Sequence, residues 1–295
     1  MILIRLLSLL PLGVLHVLSS VVLYPIARYV VRYRRSVVEK NLAFAFPEKS
    51  DAERLQIEKN FYHHLCDVLV ETIHLSRMTL NELQEHFFWD NYDELKAACL
   101  QSHRPVLCLF AHYGNWEWAM ARMEVSGNVK TMHFYSPLHN APLHQWLTAS
   151  RSRFGSKAVT SSSASAEIAQ SLNDGSHILI FAATDQLPKE QYVRHFHRFM
   201  GIKTKVLTGT EQLARKYDMD VYFCRVQRVR RGYYTCHAER LQPPLSDDSV
   251  AAYDKNSTHA DRSQWPLTDA YFDRLQQMLH ECPELWLWSH DRWRR

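Results

Sequence analysis

Apolar residues fall along this chain in three different rhythms, and each rhythm predicts a different kind of element. From Leu6 to Ala27 there is no Asp, Glu, Lys or Arg, a stretch long enough at ~1.5 Å per residue to cross a hydrocarbon core of about 30 Å. Pro11, His16, Ser19, Ser20 and Pro25 interrupt it, so it also suits a helix lying in the membrane interface. A cleaved secretion signal fits less well. The stretch outruns a usual signal core, no small-residue cleavage site borders it, and Arg28, Arg32, Arg34 and Arg35 put the basic excess on its C-terminal flank. By the positive-inside rule that flank, and the domain after it, stays cytoplasmic. The chain divides into an anchor over residues 1–35 and an α/β domain over residues 36–295.

The second rhythm is helical. Between Asp51 and Leu100 the residues Leu55, Ile57, Phe61, Leu65, Val68, Leu69 and Ile73 share one face, with charged residues between them. Further helices are predicted from Pro142 to Arg153, from Ala164 to Asn173 before the C-capping Gly175, and from Leu267 to Leu279. The third rhythm is continuous: Val106–Ala111 reads as a fully buried strand and His177–Ala183 as a second strand-like run. Asp220–Val229 and Tyr233–Glu239 form a hairpin around Arg230-Arg231-Gly232, with a basic tip suited to lipid headgroups or an acidic protein. Gln242–Gln264 is a polar loop. The fold class is α/β, a central mixed sheet flanked by helices, with an N-terminal hydrophobic anchor helix.

Both strands release polar residues just past their C-terminal ends, the usual address for ligands in open α/β sheets. The first delivers His112-Tyr113-Gly114-Asn115-Trp116-Glu117. On one straight helix, side chains five apart would point ~140° away from each other. A strand-to-helix corner at Gly114, with Asn115 as N-cap, would instead let Glu117 hold one imidazole nitrogen while the other accepts a proton. The bland alternative is a loop histidine and a capping charge. The second strand delivers Asp185 and Gln186, where Asp185 is either an Asx-turn residue or part of a site. Arg151 and Arg153 close a helix, as dipole contacts or as partners for a phosphate or carbonyl.

The His-x4-Glu segment resembles the His-x4-Asp/Glu motif of glycerolipid acyltransferases, in the form seen in the bacterial lipid A late acyltransferase family. Further segments match in order: Val37–Leu42 with Phe46-Pro47; Phe61–Leu65 with Asp67 and Glu71; Thr184-Asp185-Gln186 for Pro-Asp-Gln; Arg198-Phe199-Met200-Gly201 for Pro-Phe-Phe-Gly; and Pro283–Trp293 for the closing Trp-x-His-Arg-Arg-Phe. The similarity spans nearly the whole chain. Thr184 and Arg198 replace prolines, and Ser289 and Asp291 alter the terminal signature, departures that leave the reaction class intact and the acceptor open. The resemblance implies acyl transfer from an acyl carrier protein thioester to a hydroxyl of a lipid A precursor, at the cytoplasmic leaflet of the bacterial inner membrane. His112 would be the general base and Glu117 its orienting carboxylate, with no acyl-enzyme. Asn115, Arg151, Arg153, Asp185 and Gln186 would face substrate. The alternatives are the same chemistry on a lyso-aminolipid, phosphoglycolipid or lysophospholipid, or a catalytically silent lipid-binding membrane protein.

Composition adds bounds. At 295 residues and 46% hydrophobic the chain can bury one large core. Cys66, Cys99, Cys108, Cys224, Cys236 and Cys282 show neither C-x-x-C nor regular spacing, which fits a reducing compartment. The 17 histidines include the pairs His63-His64 and His195/His197, but none has zinc-type spacing, so no metal is expected, and no cofactor beyond the thioester. A net charge of +4 is modest; arginines cluster at residues 32–35, 225–231 and 292–295 in a way that suits phosphate-rich surfaces or acidic proteins. The expected partners are the carrier protein, the glycolipid and membrane lipids, with no nucleic acid. Eight tryptophans are available for the core, the membrane interface or an acyl pocket.

Overall fold

A computed structural model describes residues 2–123, 128–242 and 264–294. Its centre is a seven-stranded mixed sheet of β1 (Phe87–Trp89), β2 (Val106–Phe110), β3 (Val129–Tyr135), β4 (Lys157–Thr160), β5 (His177–Ala183), β8 (Asp220–Arg230) and β9 (Tyr233–Gln242), in the order β1-β9-β8-β2-β5-β3-β4. All neighbours are parallel except the β8–β9 hairpin. The two continuous apolar runs are β2 and β5, adjacent and central; every β2 residue is buried, as a parallel strand covered on both faces requires. A separate antiparallel hairpin, β6 (His195–Phe199) and β7 (Ile202–Val206), stands outside the sheet.

The helices α3 (Arg35–Ala45), α4 (Asp51–Leu75), α5 (Leu80–His86), α6 (Tyr92–Ser102), α7 (Trp116–Ala121), α8 (Ala141–Arg151), α9 (Ala164–Asn173), α10 (Gly209–Lys216) and α11 (Pro266–Glu281) flank the sheet. The expected helical stretch from Asp51 to Leu100 is therefore split, with β1 inserted as an edge strand beside β9. The expected Gln242–Gln264 loop falls outside the described residues beyond Gln242 and before Gln264. Ser50 starts α4 with a capping box: its side chain accepts from the Glu53 amide while Glu53 reaches back to Ser50. Buried Phe61, Tyr62, Val68 and Leu75 form the apolar face of α4.

Acidic residues of α4 face the N-terminal segment. That segment is not one helix from Leu6. It comprises α1 (Ile2–Leu7), a break before Pro11, and α2 (Leu12–Leu18), which runs on into further helical turns, so that Leu12–Val30 is long and apolar enough to cross a membrane. Pro25 has no N–H to give, and the helix around it widens into π-turns at Ser19–Leu23 and Ile26–Val30. One face presents exposed Val14, Val17, Val21, Ile26 and Val30. The other docks on α4: His16 donates to Glu71 at 2.9 Å, Ser19 to Asp67 at 2.6 Å, Tyr24 stacks on His63, and Arg28 pairs with Glu58 at 3.4 Å. The basic hairpin tip joins this seam, since Arg231 binds Asp67 (2.9 Å from Nε), Ser20 and the His16 carbonyl.

Two buried imidazoles make the fold acid-sensitive. Burial pushes His64, which donates to the Gly114 carbonyl, down to about 3, and His133, bonded to Ser156, down to about 4. Unfolding returns both to an ordinary value of about 6.5, so the unfolded chain binds more protons below that pH. Their contribution is complete above pH ~6.5 and is lost as pH falls toward ~4. The thermal midpoint is expected to drop between pH 7 and 5, less steeply in His64→Gln; identical slopes in the two proteins would contradict this.

Candidate active site

The ends of β2 and β5 are level, with Phe110 opposite Ala183, and both chains leave the sheet two residues before a functional group. His112 and Asp185 therefore meet. Asp185 Oδ1 accepts from His112 Nδ1 at 2.8 Å, and Oδ2 accepts from the His112 backbone N–H at 3.1 Å and from Trp286 Nε1 at 2.8 Å. Burial alone would raise the Asp185 pKa, but the His112 charge and these hydrogen bonds outweigh it and hold the carboxyl below its usual range. A proton on Nδ1 leaves Nε2 as the acceptor nitrogen, and the Gln186 side-chain amide lies 3.2 Å from it. The imidazole is 20% exposed, the Asp185 side chain 3%.

The corner that carries His112 is fixed from three sides. Gly114 has φ +61°, and a Cβ there would lie 2.8 Å from Val226 Cγ1, so glycine is required on both counts. Its N–H donates to the Leu285 carbonyl at 2.9 Å, and the Leu287 N–H donates to the His112 carbonyl at 3.0 Å, so the C-terminal segment pairs with the corner like a short strand. Asn115 caps α7, accepting from the Trp118 N–H at 2.9 Å, as the sequence leads one to expect. Its amide nitrogen donates to Glu71 at 2.7 Å, and the residue is 0% exposed. The expectation that Asn115 faces substrate is thus corrected: both ends of its amide are committed inside the protein. Glu71 also accepts from Tyr234 at 3.0 Å, so one carboxylate ties the N-terminal segment, α4, the corner and β9 together.

Glu117 is placed differently from the expected orienting role. Its carboxylate is clamped by Arg151, with Nε to Oε2 and Nη2 to Oε1 both at 2.6 Å, and accepts from Trp116 Nε1 at 3.0 Å. The Trp116 ring in turn lies edge-on to His112, centroids 5.6 Å apart. Burial would raise the Glu117 pKa, but the Arg151 charge and hydrogen bonds, with a contribution from His112, bring it below the usual range. The carboxylate hydrogen-bonded to His112 is Asp185, and Glu117 contributes as a buried anion nearby. Arg151 is consumed by this pair, and Arg153 donates to the Leu75 carbonyl at 2.7 Å, where α4 ends. Arg151 is therefore not free to meet a substrate phosphate or carbonyl as expected, whereas Arg153 is exposed and spends only Nη1 on this bond. Among the described residues no cluster of His, Cys, Asp or Glu has a metal-binding arrangement.

Trp286 and His290 were not among the residues the sequence singled out for the site. Trp286 holds Asp185, and His290 Nε2 accepts from the Leu187 N–H at 3.0 Å, next to Gln186. Burial lowers His290 to about 4. The C-terminal Trp-rich match was the one available signal for either. The Glu117–Arg151 clamp predicts that Glu117→Ala, which strands a buried guanidinium, destabilises the fold by about 3–5 kcal/mol, and that Glu117→Leu/Arg151→Met costs less. Denaturant unfolding checks this, and a Glu117→Ala protein as stable as wild type would contradict it.

Residues 1–295 match the model of the family described as bacterial lipid A biosynthesis acyltransferase. The chain is 25% identical over 282 residues to the lipid A biosynthesis palmitoleoyltransferase of Escherichia coli (strain K12), covering 91% of this chain and 81% of the relative. It is similar to the same extent, with the same coverage, to the lipid A biosynthesis acyltransferase of Shigella flexneri. The chain belongs to the bacterial lipid A biosynthesis acyltransferase family, and is a transferase of acyl groups.

Proposed function

We propose that the protein moves a fatty acyl chain from an acyl carrier protein thioester to a hydroxyl of a lipid A precursor, at the cytoplasmic leaflet of the inner membrane. Residues 1–35 anchor it and the remainder carries the chemistry. The acceptor hydroxyl takes the place of the Gln186 amide at His112 Nε2 and gives up its proton there as its oxygen attacks the thioester carbonyl. Asp185 keeps the imidazole in the tautomer with Nε2 free and stabilises the imidazolium that forms. The buried Glu117 anion adds to that stabilisation. Collapse of the tetrahedral intermediate breaks the C–S bond, and the thiolate recovers the proton from Nε2. The displaced Gln186 amide is suited to donate to the developing oxyanion; the Gly114 N–H and Arg151, which would also suit, are already spent on Leu285 and Glu117.

The observation that carries this reading is the Asp185–His112 pair, in which one buried carboxylate receives both the ring and the backbone N–H of the same histidine. The cytoplasmic side rests on Arg28, Arg32, Arg34 and Arg35 after the apolar segment. The donor rests on the resemblance of the motifs.

Transfer of labelled acyl chains from the carrier to a lipid A precursor tests the mechanism. His112→Ala is expected to lower kcat about 10²–10⁴-fold and Asp185→Asn about 10²-fold or more, both with native circular dichroism. Full activity in folded His112→Ala would sink the mechanism. Wild-type transfer only to a lysophospholipid or another acceptor would move the substrate assignment and leave the mechanism standing.

A further inference from the structure

A pocket of about 500 Å³ opens between the C-terminal end of α3 and the β6–β7 hairpin. Strand alternation builds one of its walls. His195, His197 and Phe199 point inward, where both histidines share the Asp269 carboxylate, so Phe196 and Arg198 point outward. Lys203 and Lys205 stand opposite them in register, with Lys203 4.8 Å from the centre of the Phe196 ring. Phe44, Leu187 and Trp293 supply an apolar lining, and exposed Arg294 adds a third cation to the rim.

The inner wall includes Arg292. This residue is 0% exposed, and none of Nε, Nη1 and Nη2 has a hydrogen-bond partner among the described residues; its guanidinium only faces the Phe272 ring at 5.5 Å. The Asp185 charge reaches it, but both Asp185 oxygens are already taken by His112 and Trp286. A buried cation without hydrogen bonds is unfavourable unless an anion completes it. Lys205 is paired with Glu190 at 2.6 Å, a carboxylate 76% exposed that a phosphate can replace, so the guanidinium with the Lys203 and Lys205 ammonium groups is the donor set that phosphate oxygens take.

The position of the pocket distinguishes its ligands. The anchor enters α3 at Arg35, whereas the pocket lies at Ala43 and Phe44, roughly 12–14 Å further along at ~1.5 Å per residue. Midway, Asn41 holds the Trp288 and His290 carbonyls and Lys40 pairs with Asp291, fixing the loop whose His290 receives the Leu187 N–H. The pocket therefore lies at the end of α3 far from the N-terminal segment, and Leu187 in its lining directly follows Gln186, whose amide is 3.2 Å from His112 Nε2. A lipid acceptor arrives from the anchor end, and a water-borne donor from the other.

Resting on the acyl-transfer reading above, we propose that this pocket seats the phosphate-bearing arm of the acyl donor, its apolar walls taking the arm and Lys203, Lys205 and Arg292 its phosphodiester. The test measures binding of an acyl carrier protein loaded through a non-hydrolysable amide, alongside KM values for donor and acceptor. Lys203→Gln/Lys205→Gln is expected to weaken carrier binding and raise the donor KM roughly tenfold or more, with a shallower salt dependence and an unchanged acceptor KM. Lys130→Gln/Lys157→Gln, an equal charge loss on β3 and β4, should leave both constants alone. Arg292→Met should raise the thermal midpoint of the free protein while weakening carrier binding, the opposite of what a merely structural arginine would do. Unchanged donor binding in the lysine variant, an equal loss in the β3/β4 control, a lower midpoint for Arg292→Met, or a rise confined to the acceptor KM would each overturn the proposal. Tight analogue binding without transfer by wild type would sink the transfer reading alone.

Discussion

The Asp185 carboxylate is the constraint on which the rest of the site depends. Three N–H groups converge on it, two from His112 and one from Trp286, so three separate stretches of chain meet at this carboxylate: the end of β2, the end of β5, which carries Asp185 itself, and the C-terminal segment. A buried carboxylate without these donors would be driven to protonate. With them it stays ionised, fixes the imidazole tautomer, and pins the C-terminal segment over the sheet. The register of two parallel strands thus becomes the chemical state of one ring nitrogen.

The same rule repeats through the molecule. Glu58, Asp67, Glu71 and Glu117 are all buried, and each is matched: Glu58 by Arg28, Asp67 by Ser19 and Arg231, Glu71 by His16, Asn115 and Tyr234, Glu117 by Arg151 and Trp116. Three of these carboxylates lie on α4, with Asp67 and Glu71 one turn apart, and all three meet the apolar N-terminal segment. That segment is therefore part of the same polar network as α4 and β9. Through Glu71, which holds both His16 and Asn115, it is two hydrogen bonds from the corner that presents His112. Removing one partner from such a network leaves an uncompensated group, while replacing both with apolar residues is milder.

What could be read from the residues was what period and local spacing encode. Val106–Phe110 and Ile178–Ala182 are fully apolar because parallel central strands are covered on both faces, so the strands and the polar residues after them were legible, as were α9, α11 and the β8–β9 hairpin. The partner of His112 was not. Asp185 is 73 residues away, and Glu117 at five was the nearer carboxylate; that Glu117 turns toward Arg151 is set by the packing of α7 on α8. Asn115 was read correctly as a cap and wrongly as a substrate contact, because capping leaves its amide nitrogen free until Glu71 is brought to it in three dimensions. The β6–β7 hairpin was missed for a related reason: His195 and His197 break the expected apolar alternation, and only burial against Asp269 makes them interior residues.

The central claim is that Asp185 holds His112 with its proton on Nδ1 and its lone pair on Nε2. Nitrogen-15 NMR of histidine-labelled protein, with His112 assigned by comparison with His112→Ala, reads that tautomer directly. The account predicts that the neutral imidazole carries its proton on Nδ1 and none on Nε2, and that this preference is lost in Asp185→Asn. A neutral His112 carrying its proton on Nε2, or a tautomer indifferent to Asp185→Asn, would contradict it.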